Sequence, residues 1–468
     1  MTSSVSTKLR KWRIFLSKPH IRQTILFSVI GLFLNADQNL MGPNLTQIGD
    51  SFNFTANERD FYLGGVVSVG FWVIGGIAAI TMGYYADKGN RKNLFAACVF
   101  VGEFSCLMTL AVTDFWSFWV TRVFTGISIG GATPLIYSMV GDLYDDRVRG
   151  KAISFTTIMI SIGQFVGVQI ASQLGPVYGW RIPFAVVSIP SLILAPVFYF
   201  VTTEPKRGAA ERTLQLDETQ EYDEAVTWSK IKQLFQTWTV ILLVCQGIPG
   251  SAPWGVMNTY MQDFIVQNLG AEVINGTIVY TISVQESSVV VTTFGVGCGL
   301  GLISGGFLTD RLWPLDYRYV TWMMGVTTIV GALPIYAVVN APDLSLGGLA
   351  AIVLPSGFLA TFTGAAVRTV LVNVTLPETR GSTFAIFTLL NDLGQGLAPL
   401  FVAGLIVTMG RVQAFNISLA GWFLCGALLL SSSFTIVGDM ARLNENLNKA
   451  KIVLKDDEAQ NKSAMVIP

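Results

Sequence analysis

Residues 83–92 read GYYADKGNRK: one acid, three bases and an amide within ten positions, set between two long apolar runs. The chain around them has 468 residues, of which 51% are apolar and only 13% charged. A soluble domain carries about 25% charged residues, and the mean hydropathy here is +0.54. The surrounding solvent is therefore lipid, and GYYADKGNRK is a polar turn between two membrane helices.

Crossing a bilayer takes about 20 mostly apolar residues. Runs of that kind lie at roughly 22–43, 61–85, 93–113, 116–141, 152–175 and 182–202. Six more lie at roughly 237–262, 286–309, 319–340, 345–372, 382–407 and 412–438. The first is too long for a signal-peptide core and reads as a span. The expected fold is all-α, with twelve transmembrane helices in two pseudo-symmetric six-helix bundles, residues 22–202 and 237–438. A basic tail (1–21), a charged linker (203–236) and a polar tail (439–468) complete the chain. Of 30 Lys and Arg residues, 25 fall in the tails and the loops on their side, and the loop around 263–285 has none. Basic residues mark the cytoplasmic side, so both termini are expected there. The host would be the plasma membrane or an endolysosomal membrane.

Composition also removes function classes. Net charge is zero, with no basic patch for nucleic acid. Cys98, Cys106, Cys245, Cys298 and Cys425 lie in apolar runs without metal-ligand spacing, and His20 is the single histidine. No nucleophile–base pair can be assembled, so neither an enzyme, a metal site nor a cofactor is expected.

The two halves resemble each other. Gly83-x-x-x-Asp87-Lys88 recurs as Gly306-x-x-x-Asp310-Arg311. Arg149-Gly150 and Gly163-Gln164 recur 231 residues later as Arg380-Gly381 and Gly394-Gln395, and Phe184 and Phe415 keep the same offset. Two repeats about an axis along the membrane normal, with a pathway between them, form a secondary-transporter architecture. In that frame Gly83 allows close helix approach and Asp87 faces a helix N-terminus. Arg91 pairs with Asp142 at the end of span four. With Arg149, Asp310 and Arg311 they make an inner gate; the alternative is that the basic residues only fix topology.

Gly83-Tyr-Tyr-Ala-Asp87-Lys88-Gly89-Asn90-Arg91-Lys92 resembles the loop signature of the major facilitator superfamily, and Arg122-x-x-x-Gly126 its second motif. The likeness extends over about 20–440. Three features are most similar to the Spinster family of lipid transporters: Asn90 within the signature, Leu34-Asn35-Ala36-Asp37, and Glu204-Pro205-Lys206-Arg207 after span six. Gln38 and Ile129 depart from it, standing where that family has arginine and glutamate. The resemblance implies alternating access and a lysolipid substrate.

Ionisable residues inside a span default to functional candidates. Asp37 in span one and Arg122 in span four fall in the same membrane half, so they can pair, either as a proton-coupling switch or as a permanent tie. Glu103 in span three is a proton site or a hydrogen-bonding residue. In the second half, Arg368 and Asp392 are candidates to face the pathway, Arg368 alternatively snorkelling to the interface. Span seven carries Pro249, Gly250, Pro253 and Gly255 and cannot form a straight helix. Its Gln246, Trp254, Asn258 and Tyr260 are expected to line the pathway. The expected partners are a small-molecule or lipid substrate, a proton and the bilayer, with the protein acting as a monomer. The competing readings are a carrier of small polar metabolites or drugs, and a transporter-shaped receptor that moves nothing.

Overall fold

The computed structural model describes residues 18–144, 146–205, 237–274, 277–341, 344–375, 380–443 and 445. The expected linker and most of both tails lie outside these residues. So do the side chains of Asp87, Lys88 and Arg149.

Among the described residues, twelve helices are long and apolar enough to cross a membrane. The first six are α1 (Pro19–Ser51), α2 (Ala56–Ala86), α3 (Arg91–Ala111), α4 (Phe115–Val140), α5 (Ala152–Tyr178) and α6 (Ile182–Val201). The second six are α7 (Trp238–Leu269), α8 (Val284–Leu312), α9 (Tyr317–Asn340), α10 (Leu346–Val374), α11 (Thr383–Met409) and α12 (Arg411–Phe434). An antiparallel hairpin of β1 (Ala271–Ile274) and β2 (Thr277–Tyr280) joins α7 to α8, with Ala271 opposite Tyr280. The end of the molecule where α1 starts is called here the terminal end, and the opposite one the distal end.

Local sequence sets the helix starts. Asn90, in the signature loop, caps α3 by accepting a hydrogen bond from the Asn93 N–H. Asp114 does the same for α4 with the Ser117 N–H, which lowers the pKa of its carboxyl. Capping boxes open α2 (Thr55 and Glu58) and α8 (Ser283 and Glu286). α2 then runs through two wide π-type turns, Asp60–Val66 and Val69–Val73, before becoming regular at Ile74. α7 is interrupted at Gln246, between Trp238–Cys245 and Gly247–Phe264, which accommodates its prolines.

Within the first half, α1 packs on α5, and α4 on α2 and α3. Within the second, α10 packs on α8 and α9, and α7 on α11. The closest approaches are backbone to backbone. A methyl group on Gly126 of α4 would lie 2.3 Å from the Phe71 carbonyl oxygen of α2, and one on Gly301 of α8 would lie 2.0 Å from that of Phe358 in α10.

Three cores hold the helices, and their membership describes the conformation. Phe27, Phe95, Leu135 and Phe198 belong to a core made only of the first half. Val240, Leu243, Met324 and Leu371 belong to one made only of the second half. Both lie towards the terminal end. At the distal end a single core takes Leu45, Leu63 and Phe184 together with Tyr260, Phe264, Phe415 and Trp422. The halves thus share a core distally and have separate ones at the terminal end.

Candidate functional site: a dry ion pair and a distal latch

α1 and α4 run in opposite directions, which brings Asp37 and Arg122 to one level in the distal half. Arg122 Nη1 donates to Asp37 Oδ1 at 2.9 Å, and Nη2 donates to Thr109 Oγ1 at 3.2 Å. The guanidinium also lies over the Phe184 ring, 4.6 Å from its centroid. Arg122 is 3% exposed, Asp37 1% and Glu103 of α3 0%. Glu103 belongs to the same cluster: a carboxylate oxygen of Asp37, one of Glu103 and Cys106 Sγ all lie within 4.8 Å of one another. Both Glu103 oxygens, Asp37 Oδ2, Arg122 Nε and the Ser191 hydroxyl lack a hydrogen-bond partner.

At the terminal end, Arg91 binds Asp142 at 2.5 Å and Glu204 at 2.9 Å, while its Nη2 donates to the Pro205 carbonyl. Lys92 donates its backbone N–H to Glu204 and its Nζ to the Thr202 carbonyl. These contacts fasten α3 to α4 and to the exit of α6, all within the first half. The inner-gate reading requires partners across the halves, and the described contacts of Arg91 do not reach them. Asp310 and Arg311, at the end of α8, are exposed and form no ion pair with a described residue. Gly83 is a correction: among the described residues, a methyl there would meet nothing within 4 Å. Towards α4 the close-approach positions of α2 are Gly70 and Gly75, whose added methyls would meet Trp119 and the Gly126 backbone at 2.7 Å, and towards the second half they include Gly64 and Gly65, which face Tyr260 and Leu400.

The polar contacts between the halves gather at the distal end, in residues that the sequence did not single out. Asp60 of α2 binds Arg411 of α12 at 2.6 Å, and Arg59 binds Asp263 of α7 at 3.4 Å. Arg59–Asp60 (3.0 Å) and Arg411–Asp263 (2.7 Å) complete a buried four-charge ring. The Thr46 hydroxyl donates to Asp263. Nearby, the Gln262 side chain donates to Ser172 across the halves, and Gln169 of α5 donates to Thr292 of α8. Arg59 lies in the first turn of α2 and Arg411 opens α12, and no motif in the sequence links them to Asp60 or Asp263.

Span seven needs two corrections. Tyr260 is fully buried, and its hydroxyl donates towards the Asp60 and Pro399 carbonyls at 2.7 and 3.1 Å. It ties α7 to α2 and α11 instead of lining a pathway. Gln246 is consumed by packing: its Nε2 donates to the Leu243 carbonyl and its Oε1 accepts from Cys425 Sγ. Trp254 is half-buried, 5.5 Å from the Phe294 ring and 5.6 Å from Trp422. Asn258 is exposed and, with Asn39, Gln262, Met257 and Phe294, lines an open pocket of about 550 Å³ counting the solvent at its mouth. Asp392 is half-buried, with its carboxylate against Gly76 of α2, where a methyl would lie 3.0 Å from Oδ2. Thr388, Asp392 and Gln395 share one face of α11 by helical spacing. Arg368 is exposed on α10, with no ion pair to a described residue.

Two six-helix halves, joined at one end and separate at the other, with a charge pair sealed inside one half, make the architecture of an alternating-access carrier. The chain belongs to the Major Facilitator Superfamily, whose family description matches residues 27–399. It is a multi-pass integral membrane transporter, not an enzyme. The cis,cis-muconate transport protein of Acinetobacter baylyi is 24% identical over 412 residues, covering 86% of this chain and 92% of that protein. An MFS-type efflux pump of Mycolicibacterium smegmatis is 24% identical over 350 residues, covering 74% and 76%. In fold, the chain is similar to a bacterial homolog of the human lysosomal transporter Spinster solved in an inward-facing, unoccupied conformation. The TM-score is 0.74 at 18% identity, covering 90% of this chain and 99% of that one.

Proposed function

We propose that this protein is a proton-coupled secondary transporter of a small amphipathic or organic-anion substrate, lysolipids foremost, working by alternating access as a monomer. The terminal end faces the cytoplasm, in keeping with the bias of Lys and Arg, and the conformation described is open on that side. The observation that carries the reading is the Asp37–Arg122 pair, 2.9 Å apart and shut away from solvent inside two spanning helices. An ion pair held there for stability alone gains little over apolar packing, whereas protonation of Asp37 frees Arg122 and changes how α1 sits on α4. On the substrate side, Arg368 supplies a fixed positive charge for an anionic head group. Thr388, Asp392 and Gln395 offer polar contacts, and Trp254 with Phe294 an apolar wall. Similarity to a muconate transport protein over most of both chains favours organic anions as the second reading of the same site.

Uptake of labelled lysophosphatidylcholine into proteoliposomes, with and without an imposed pH gradient, tests the reading. Gradient-stimulated uptake that disappears in Asp37→Asn is the expected result. Failure of folded protein to move lysophosphatidylcholine sinks the lipid assignment, and labelled muconate becomes the next probe.

A further inference from the structure

The charges around Asp37 do not balance as carboxylates. Asp37 from α1 and Glu103 from α3 would bring two negative charges, and Arg122 from α4 brings one positive. Cys106 from α3 and the Ser191 hydroxyl from α6 are the other polar groups facing Glu103. All of them are buried, and Phe118, Trp180 and Phe184 pack edge to face on the distal side. Arg122 is committed to Asp37 and Thr109, and the Ser191 hydroxyl is the single neutral donor beside Glu103 among the described residues, without a hydrogen bond of ordinary geometry to either of its oxygens. A net negative charge so deeply buried is costly, and one neutral hydroxyl does not offset it. One proton must therefore reside in the cluster.

We propose that Glu103 is the residue that holds the coupling proton in this conformation, and that it exchanges this proton with Asp37. The step is balanced. Glu103 as the acid gives its proton to the Asp37 carboxylate; Asp37 becomes the neutral acid, and Arg122 turns from it to the newly formed Glu103 carboxylate. The cluster keeps one proton, one carboxylate and one guanidinium before and after, so it remains neutral while dry. Loss of the proton leaves it negatively charged, which is tolerable only when water enters. The halves can then rock with the cluster sealed only if the proton is aboard, which is a physical rule for coupling.

The proton's location rests on geometry alone, whereas its use in transport rests on the coupled reading above. Infrared difference spectroscopy of the purified, full-length protein at neutral pH addresses the location without any substrate. The expected result is a protonated-carboxyl stretch present in the wild type and missing in Glu103→Gln, with the protein still folded by its melting profile. A carboxyl band that survives Glu103→Gln and disappears in Asp37→Asn overturns the proposal. Should Glu103→Gln not fold, Glu103→Asp serves instead: a shifted band supports the proposal, and an unmoved band overturns it. In proteoliposomes showing gradient-driven uptake, Glu103→Gln should retain lysophosphatidylcholine exchange but lose its response to the gradient. Full gradient response in that variant defeats the role of Glu103 and leaves proton coupling standing.

Discussion

Arg122 has one described carboxylate within bonding distance, Asp37 at 2.9 Å, and both are buried. Replacing Arg122 by leucine leaves the buried Asp37 carboxyl without its partner, to be held as an unpaired charge or neutralised by a proton, a loss of about 3–5 kcal/mol by comparison with broken buried pairs. The purified Arg122→Leu variant should melt well below the wild type, and the double variant Asp37→Asn/Arg122→Leu should recover part of the difference. Equal melting of the single variant and the wild type would mean that the pair is hydrated. Tyr260 gives a contrasting residue-scale expectation. Its hydroxyl serves two backbone carbonyls, so Tyr260→Phe should cost about 1–3 kcal/mol of stability and leave the KM for substrate unchanged. A raised KM would restore Tyr260 to the pathway.

Helix contacts obey a different rule, because a single methyl decides whether two backbones can touch. Gly126→Ala would push α4 off Phe71 of α2, whereas Gly83→Ala meets open space. The first should cost about 1–3 kcal/mol from overpacking and the second less than about 0.5 kcal/mol; melting temperatures of the two purified variants compare them directly. At this scale the limits of sequence reading have a physical cause. The spans, the repeat and the Asp37–Arg122 pair were legible because run length, motif spacing and depth along a helix are properties of short segments. Asn90 was legible as part of the signature but not as the N-cap that makes it useful. Gly83 was misplaced because a small residue shows that approach is possible and not which helix approaches. The break in α7 was readable from Pro249 and Pro253. Which side chains of α7 then turn inward was not, since rotation about a broken helix is set by its neighbours α11 and α12. Asp60 and Arg411 lie 351 positions apart with no periodicity connecting them, so only the fold brings them together.

Across the whole molecule, the distal ring decides how firmly the halves stay closed. Its charges are arranged so that opening strands none of them. Arg59 keeps Asp60 within the first half at 3.0 Å, and Arg411 keeps Asp263 within the second at 2.7 Å. Of the ring's four ion pairs, the two crossing ones, Asp60–Arg411 and Arg59–Asp263, have to break, together with the neighbouring crossing hydrogen bonds such as Gln262–Ser172 and Tyr260–Asp60. A latch of this kind holds without making release prohibitive, as a carrier that cycles requires. Removing one partner should therefore shift the balance of states more than it unfolds the protein. In Arg411→Ala, Asp60 keeps Arg59 and loses its crossing partner, while Asp263 keeps as its ion pair only the weaker 3.4 Å crossing contact to Arg59; each 1.4 kcal/mol of closure lost changes the ratio of distally open to closed molecules about tenfold. Spin labels at exposed Val177 on α5 and Val289 on α8 report that ratio as a distance distribution. The wild type should give one short distance, and Arg411→Ala should add a longer one. The charge swap Asp60→Arg/Arg411→Asp sets a second guanidinium beside Arg59 in the first half and a second carboxylate beside Asp263 in the other. The repulsion within each half is the same open or closed, but opening now strands all four charges, so the swap should restore the short distance in full while lowering the melting temperature. An unchanged distribution in Arg411→Ala would show that the shared apolar core around Phe264 and Phe415 keeps the distal end closed without the ring.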